Sequence, residues 1–283
     1  VPSFGERVRA VLDARGPLCV GIDPHLPLLA RWGLEADAAG ARAFGLRVVE
    51  AAAGRAGFVK PQVSFYERFG SAGIAALEDV LAAARAADLV VIADAKRGDI
   101  GSTMDAYGAA WLTPGSPLEA DALTVSPYLG VGALEGTLAL ADEHGKGAFV
   151  LAATSNPEAT ALQRATADGS SVAAAIVAEV SARNARVARE GEWGSTGFVI
   201  GATVDWHAAG LAPFAPPAPI LAPGFGFQGA AAAALPEVFR EMAPCVIASE
   251  SRSILAAGPD GLAQAIADAA AAYRGSSEGE ADV

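Results

Sequence analysis

A chain of 283 residues, 52% hydrophobic, can bury one large core, and its apolar residues never run to the roughly 18 consecutive positions that a membrane span needs. The formal net charge of −12 excludes a partner that must be held by a basic surface, nucleic acid or an anionic membrane above all, while leaving room for a small anion bound by a few local cations. The opening "VPSFGERVRAVLDARG" lacks a basic segment followed by a long apolar one, so a soluble, cytoplasmic chain without an export signal is expected.

Apolar runs rich in β-branched residues recur along the chain, separated by segments rich in Ala, Leu, Glu and Arg. Strands are predicted over residues 18–23 (LCVGID), 57–61 (GFVKP), 89–95 (LVVIADA) and 121–125 (DALTV). Four more follow at 147–153 (GAFVLAA), 197–203 (GFVIGAT), 218–222 (APILA) and 244–249 (PCVIAS). Continuous apolar strands alternating with helices indicate a parallel sheet covered on its outer face, and eight such units indicate an α/β fold of the (β/α)8 TIM-barrel type. A doubly wound open sheet is the alternative. No linker divides residues 1–274, read as one barrel domain, and the polar, acidic tail 275–283 is expected to be disordered.

Cys19 and Cys245 both lie inside apolar runs, which favours buried thiols over a disulfide or a metal pair. The three histidines, His25, His144 and His207, are far apart and lack metal-ligand spacing, so no metal site is expected. Lysine is scarce: Lys60, Lys96 and Lys146 stand against 17 arginines. A lysine retained in such a chain points to a need for an amine, which can release its proton where a guanidinium cannot.

Barrel chemistry sits at the C-terminal ends of the strands. Here those ends read "GIDPH", "VKPQ", "ADAKRGD", "TSN", "APGFGFQG" and "SESR". Asp23 alone could simply cap the following helix. Lys60, in an apolar strand end, requires a carboxylate partner. Asp94 and Lys96, two apart on one strand, share a face and can share a cavity with Lys60. A buried structural ion-pair network is the competing reading of these three. Asp99 lies past the strand in "RGDIGS" and need not fold back into its own site. The segment "GFGFQG", residues 224–229, matches G-x-G-x-x-G, but only one strand remains after it and Glu250 is a poor ribose ligand, which weighs against a dinucleotide fold. In a barrel the same glycines suit a phosphate site after strands seven and eight, with Arg252 supplying a fork of donors.

The ordered motifs "FVKPQ", "DAKRGDIGST", "VSPYLG", "LAATSN", "PGFGFQG" and "SRSIL" resemble the orotidine 5'-phosphate decarboxylase family, in its longer-chain bacterial subgroup, from about Phe4 to Tyr273. The D-x-K-x-x-D core is shared with related sugar-phosphate decarboxylases and synthases, and Lys60 favours the orotidylate enzymes. The resemblance implies a cofactor-free decarboxylation and a homodimer with shared sites. In that reading Asp23 binds the ribose hydroxyls, Lys60 links ribose to the charge network, Asp94 faces the substrate carboxylate and Lys96 protonates C6. Asp99 and Thr103 would reach into the neighbouring subunit's site, Ser155 would bind the pyrimidine, and Gly226, Gln228 and Arg252 would hold the phosphate. Ser126 stands where Asn is more usual. Two other classes stay open: a Schiff-base aldolase, disfavoured because flanking carboxylates raise an amine's pKa, and a non-catalytic barrel that binds a phosphate ligand.

Overall fold

The structure is a computed structural model that describes residues 2–226 and 229–278, with side chains to Arg274. Eight parallel strands close a barrel in unbroken chain order: β1 (Leu18–Ile22), β2 (Phe58–Pro61), β3 (Val90–Arg97), β4 (Ala122–Val125), β5 (Gly147–Ala153), β6 (Thr196–Ile200), β7 (Ile220–Pro223) and β8 (Val246–Glu250). Closure comes from β1 pairing with β8, Leu18 opposite Ala248 and Val20 opposite Glu250. The predicted strands are all present, and the open-sheet alternative is set aside. No helix among the described residues is long and apolar enough to cross a membrane.

Strand periodicity sorts the apolar residues into two cores. Leu18, Val20 and Ile22 on β1, Val59 on β2 and Val91 and Ala93 on β3 face outward into the layer between barrel and helices. Their alternates, Cys19, Phe58, Val90, Ile92, Ala122, Phe149, Val199, Leu221 and Ile247, fill the barrel itself. The first helix, α1 (Phe4–Arg15), lies under the barrel and drives Phe4 and Val8 into that inner cluster, where Phe4 meets the Phe149 ring edge-on at 6.0 Å. Arg7 fixes the plug by donating to Asp121 (2.7 Å) and to the Gly145 carbonyl (3.1 Å). The N-terminal end is thereby stoppered, and the open mouth lies at the C-terminal ends of the strands.

Helices cover most of the outer face, including α2 (Ala38–Ala52), α3 (Gly70–Ala86), α4 (Gly101–Leu112), α5 (Glu135–Glu143), α6 (Val172–Val187) and α7 (Gly258–Glu278). The rhythm fails once. Residues 201–219, all described, pass from β6 to β7 in turns and irregular backbone without an α-helix. Pro213, Pro216, Pro217 and Pro219 remove the N–H groups a helix would need there. Phe214 from this link covers the outward Phe198 of β6 at 4.7 Å, doing a helix's work. Helix α7 runs to Glu278, past residue 275 where the acidic tail was expected to begin.

Candidate active site

The alternation that builds the inner core also builds the site, because residues at and just past the ends of six of the eight strands line the mouth. A cavity of about 610 Å³ opens there, lined by Asp23 and His25 after β1, Lys60 and Gln62 at β2, Asp94 and Lys96 on β3, Thr154 to Asn156 after β5, Gly224 and Phe225 after β7, and Ser249, Ser251 and Arg252 at β8.

Its centre is a line of alternating charge. Lys60 Nζ donates to Asp94 Oδ2 at 2.8 Å, and Lys96 Nζ donates to Asp94 Oδ1 at 2.5 Å. Lys60 and Asp94 are buried, 6% and 7% exposed, whereas the Lys96 side chain keeps 47% of its surface open to the cavity. Burial opposes charge on Asp94, but the two ammonium groups outweigh it and hold the carboxyl well below the usual carboxylate range. Burial opposes charge on Lys60 too, and Asp94 and Asp23 outweigh it, raising the amine above an ordinary lysine. Asp94 therefore stays an anion and Lys60 a cation across the neutral range. An imine-forming role for Lys60 would need the free amine.

Backbone geometry delivers Lys96 to this position. Pairing between β3 and β4 runs Ile92 with Ala122 and Ala93 with Leu123, then slips until Arg97 meets Val125. Residues 94–96 bulge opposite Thr124 alone, and Lys96 sits in the left-handed region at φ +49°. A non-glycine residue held there costs free energy, and such strain gathers at functional positions.

Asp23 accepts from Ser251 Oγ at 2.5 Å through Oδ2, while its Oδ1 is buried without a hydrogen-bond partner. An unsatisfied buried carboxylate oxygen facing a cavity suits a ligand hydroxyl. Across the mouth, Ser155 lies on a loop pinned by Gln163, which accepts from Thr154 N (2.9 Å) and donates to Thr154 Oγ1 (3.0 Å). Arg252 begins the turn after β8 and lines the cavity.

The sequence-predicted residues do not all converge. Asp23, Lys60, Asp94, Lys96, Ser155 and Arg252 do. Gly226 does not line the cavity: its N–H donates to Ala230 O at 2.9 Å, and it is Gly224 and Phe225 of that loop that reach the mouth. Gly226 is instead packed from behind, at φ +70°, where a Cβ would fall 2.5 Å from Ser253 Oγ and 2.6 Å from Glu250 Oε2. Gln228 lies outside the described residues. Asp99 and Thr103 stay away from their own cavity: Asp99 Oδ1 accepts from Ile100 N (2.8 Å) and Thr103 is exposed on α4. Lysine scarcity also misleads once. Lys146 is buried far from the mouth, donating to Glu119 Oε1 and Ala120 O, each at 2.7 Å.

Sequence reading missed Gln62, which accepts from Lys60 (3.3 Å) and donates to the Asp94 carbonyl (3.2 Å), although its place two residues after Lys60 signalled a shared face. It missed His25, which packs against Phe65 at 4.2 Å between ring centroids with the ring planes tilted by 58°. Ser251 was missed although it opens the "SRSIL" motif, and Thr124 was missed with no motif to mark it. Among the described residues no three His, Cys, Asp or Glu side chains are grouped so as to hold a metal ion.

Fold and site define a (β/α)8 barrel with a charge-alternating Lys–Asp–Lys centre at its C-terminal mouth. The orotidine 5'-phosphate decarboxylase / HUMPS family profile matches residues 16–266, and the chain belongs to that family. An orotidine 5'-phosphate decarboxylase of Salinispora tropica is 52% identical over 281 residues, 97% of this chain and 99% of its own. One from Corynebacterium glutamicum is 49% identical over 265 residues, 91% of this chain and 92% of its own. A crystal structure from Streptomyces avermitilis, provisionally named for the same activity, is 48% identical and superposes with a TM-score of 0.91 over 98% of this chain and 96% of its own.

Proposed function

We propose that the protein decarboxylates orotidine 5'-phosphate to uridine 5'-phosphate and CO2, the last step of UMP synthesis, with Lys96 as the proton donor. The Lys60–Asp94–Lys96 ion array at the open mouth is the observation that carries this reading, and near-full-length identity to decarboxylases of that name supports it. Breaking the bond from C6 to the carboxylate leaves an electron pair on C6 that the pyrimidine ring delocalises poorly. Lys96 ammonium stabilises that charge as it forms and then transfers a proton to C6, so CO2 leaves and the amine is left neutral until solvent reprotonates it.

Asp94, kept anionic by its two lysines, faces the substrate carboxylate. The repulsion between them vanishes as neutral CO2 forms, which lowers the barrier relative to the bound substrate. Asp23 receives a ribose hydroxyl on its unsatisfied Oδ1, Ser155 contacts the pyrimidine, and Arg252 with Gln228 and the Gly226 loop holds the phosphate. Binding energy from the phosphate end is then available to align C6 against Lys96.

The site is completed in a homodimer, with Asp99 and Thr103 entering the neighbour's cavity. Ile100 (62% exposed) and Tyr107 (37%) lie close to these residues in the chain, Tyr128 (77%) and Leu129 (52%) follow β4, and large apolar side chains so exposed suit a subunit contact. Work in the cytoplasm accords with this reading. The test is loss of orotidylate absorbance with no added cofactor and a chelator present. Sustained turnover is expected, whereas chelator-abolished activity would favour the metal-using sugar-phosphate relatives.

A further inference from the structure

Thr124, on β4, is 1% exposed and does not line the cavity, yet its hydroxyl touches the Asp94 carboxylate and the backbone of Lys96. Oγ1 accepts from the Lys96 backbone N–H at 2.9 Å and donates to Asp94 Oδ1 at 3.0 Å. Both bonds use the single hydroxyl consistently, one lone pair and one proton. They fall where the β3–β4 ladder slips, with residues 94–96 opposite Thr124 alone. The bulge takes Lys96 N–H out of the regular ladder, and a buried N–H without an acceptor is costly. The Thr124 hydroxyl supplies that acceptor while closing the coordination of Asp94, whose Oδ2 is held by Lys60.

We propose that Thr124 is a positioning residue for the decarboxylation: it holds Lys96 in its left-handed backbone conformation and fixes the carboxylate that aims the Lys96 ammonium. This rests on Lys96 being the proton donor. A half-exposed lysine chain has many rotamers, and the backbone N–H and the Asp94 oxygen are the two anchors that limit where Nζ can stand. Removing the hydroxyl loosens both anchors while leaving the ligand-binding residues around the mouth intact.

The test compares Thr124→Val, which keeps the shape and loses the hydroxyl, with Thr124→Ser, which keeps the hydroxyl. For Thr124→Val, kcat is expected to fall about 10- to 100-fold, as for a misplacement on the order of 1 Å, with KM and the Kd of uridine 5'-phosphate within about twofold of wild type. Thr124→Ser should recover most of that loss. A valine variant with wild-type kcat, a loss residing in KM and product affinity, or a serine variant as impaired as valine would each overturn the proposal. Should the valine variant fail to fold by circular dichroism, Thr124→Ala against Thr124→Ser makes the same comparison. Wild-type protein assayed alongside separates the two ideas: no orotidylate turnover there would sink the decarboxylase reading itself, not the positioning role alone.

Discussion

Asp94 Oδ2 lies 2.8 Å from Lys60 Nζ across the β2–β3 boundary, both groups buried, so the centre of the site is an ion pair withdrawn from water. Such a pair is worth little to stability when intact and much when halved. Lys60→Met leaves Asp94 with the half-exposed Lys96 as its one remaining ion-pair partner beside the Thr124 hydroxyl, and we expect destabilisation toward the lower end of about 3–5 kcal/mol. Adding Asp94→Leu should restore most of it without restoring activity. Urea unfolding of the single and double variants measures both, and a double variant no more stable than the single would contradict the assignment.

The same pair sets the pH window. Asp94, depressed in the folded state, contributes stability that is present above about pH 4 and lost as pH falls toward its folded value. Lys60, raised in the folded state, contributes stability present below about pH 10.4 and lost as pH rises through its folded value. Thermal midpoints from pH 3 to 7 should drop on the acid side in the wild type and drop less in Asp94→Asn. Parallel acid limbs would mean that other carboxylates govern acid stability.

Gly226→Ala tests the phosphate loop from behind. A Cβ there meets Ser253 and Glu250, which is itself tied to Tyr273 at 2.7 Å and to Ser253 at 2.7 Å. With φ at +70° the substitution is strained as well, and we expect a loss of about 1–2 kcal/mol together with a raised KM and a smaller change in kcat. An unchanged KM would separate the packing behind the loop from substrate binding.

How much of this was legible in the sequence follows from which forces act locally. The strands and the Asp94–Lys96 face could be read because a period of two is written in the chain, and Lys60 because an ammonium in an apolar strand demands a partner. Thr124 was invisible, since its role arises from a slip in pairing between β3 and β4 that no local pattern encodes. The Gly226 loop was legible only in part: G-x-G-x-x-G identifies a tight turn but not which N–H groups the turn consumes internally, as Gly226 N–H does toward Ala230 O. The absence of a helix between β6 and β7 is written in "PFAPPAP", whose prolines remove the N–H groups a helix needs.

The proposed sharing of sites across a homodimer predicts complementation. Asp99→Ala and Lys96→Ala subunits, each inactive alone, should regain partial activity when unfolded together and refolded, because one of the two sites in a hybrid dimer carries neither change. Activity that stays at background in verified hybrids would place Asp99 outside the neighbour's chemistry.

Both cysteines should be silent in the native protein. Burial pushes the Cys19 and Cys245 thiols up to about 12, so little thiolate exists at neutral pH. Titration with a chromogenic disulfide at pH 8 should count no reactive thiol before denaturation and two after it. Rapid labelling of one in the folded state would show an opening beside β1 or β8.

The measurement that bears most directly on the account is steady-state and single-turnover decarboxylation by Lys96→Ala, with the Kd of uridine 5'-phosphate determined on the same sample. Losing the acid and the local positive charge together should lower kcat by more than about 10⁴-fold while product affinity changes only a few-fold. A variant that keeps turnover within tenfold of wild type, correctly folded, would contradict the assignment of the proton donor.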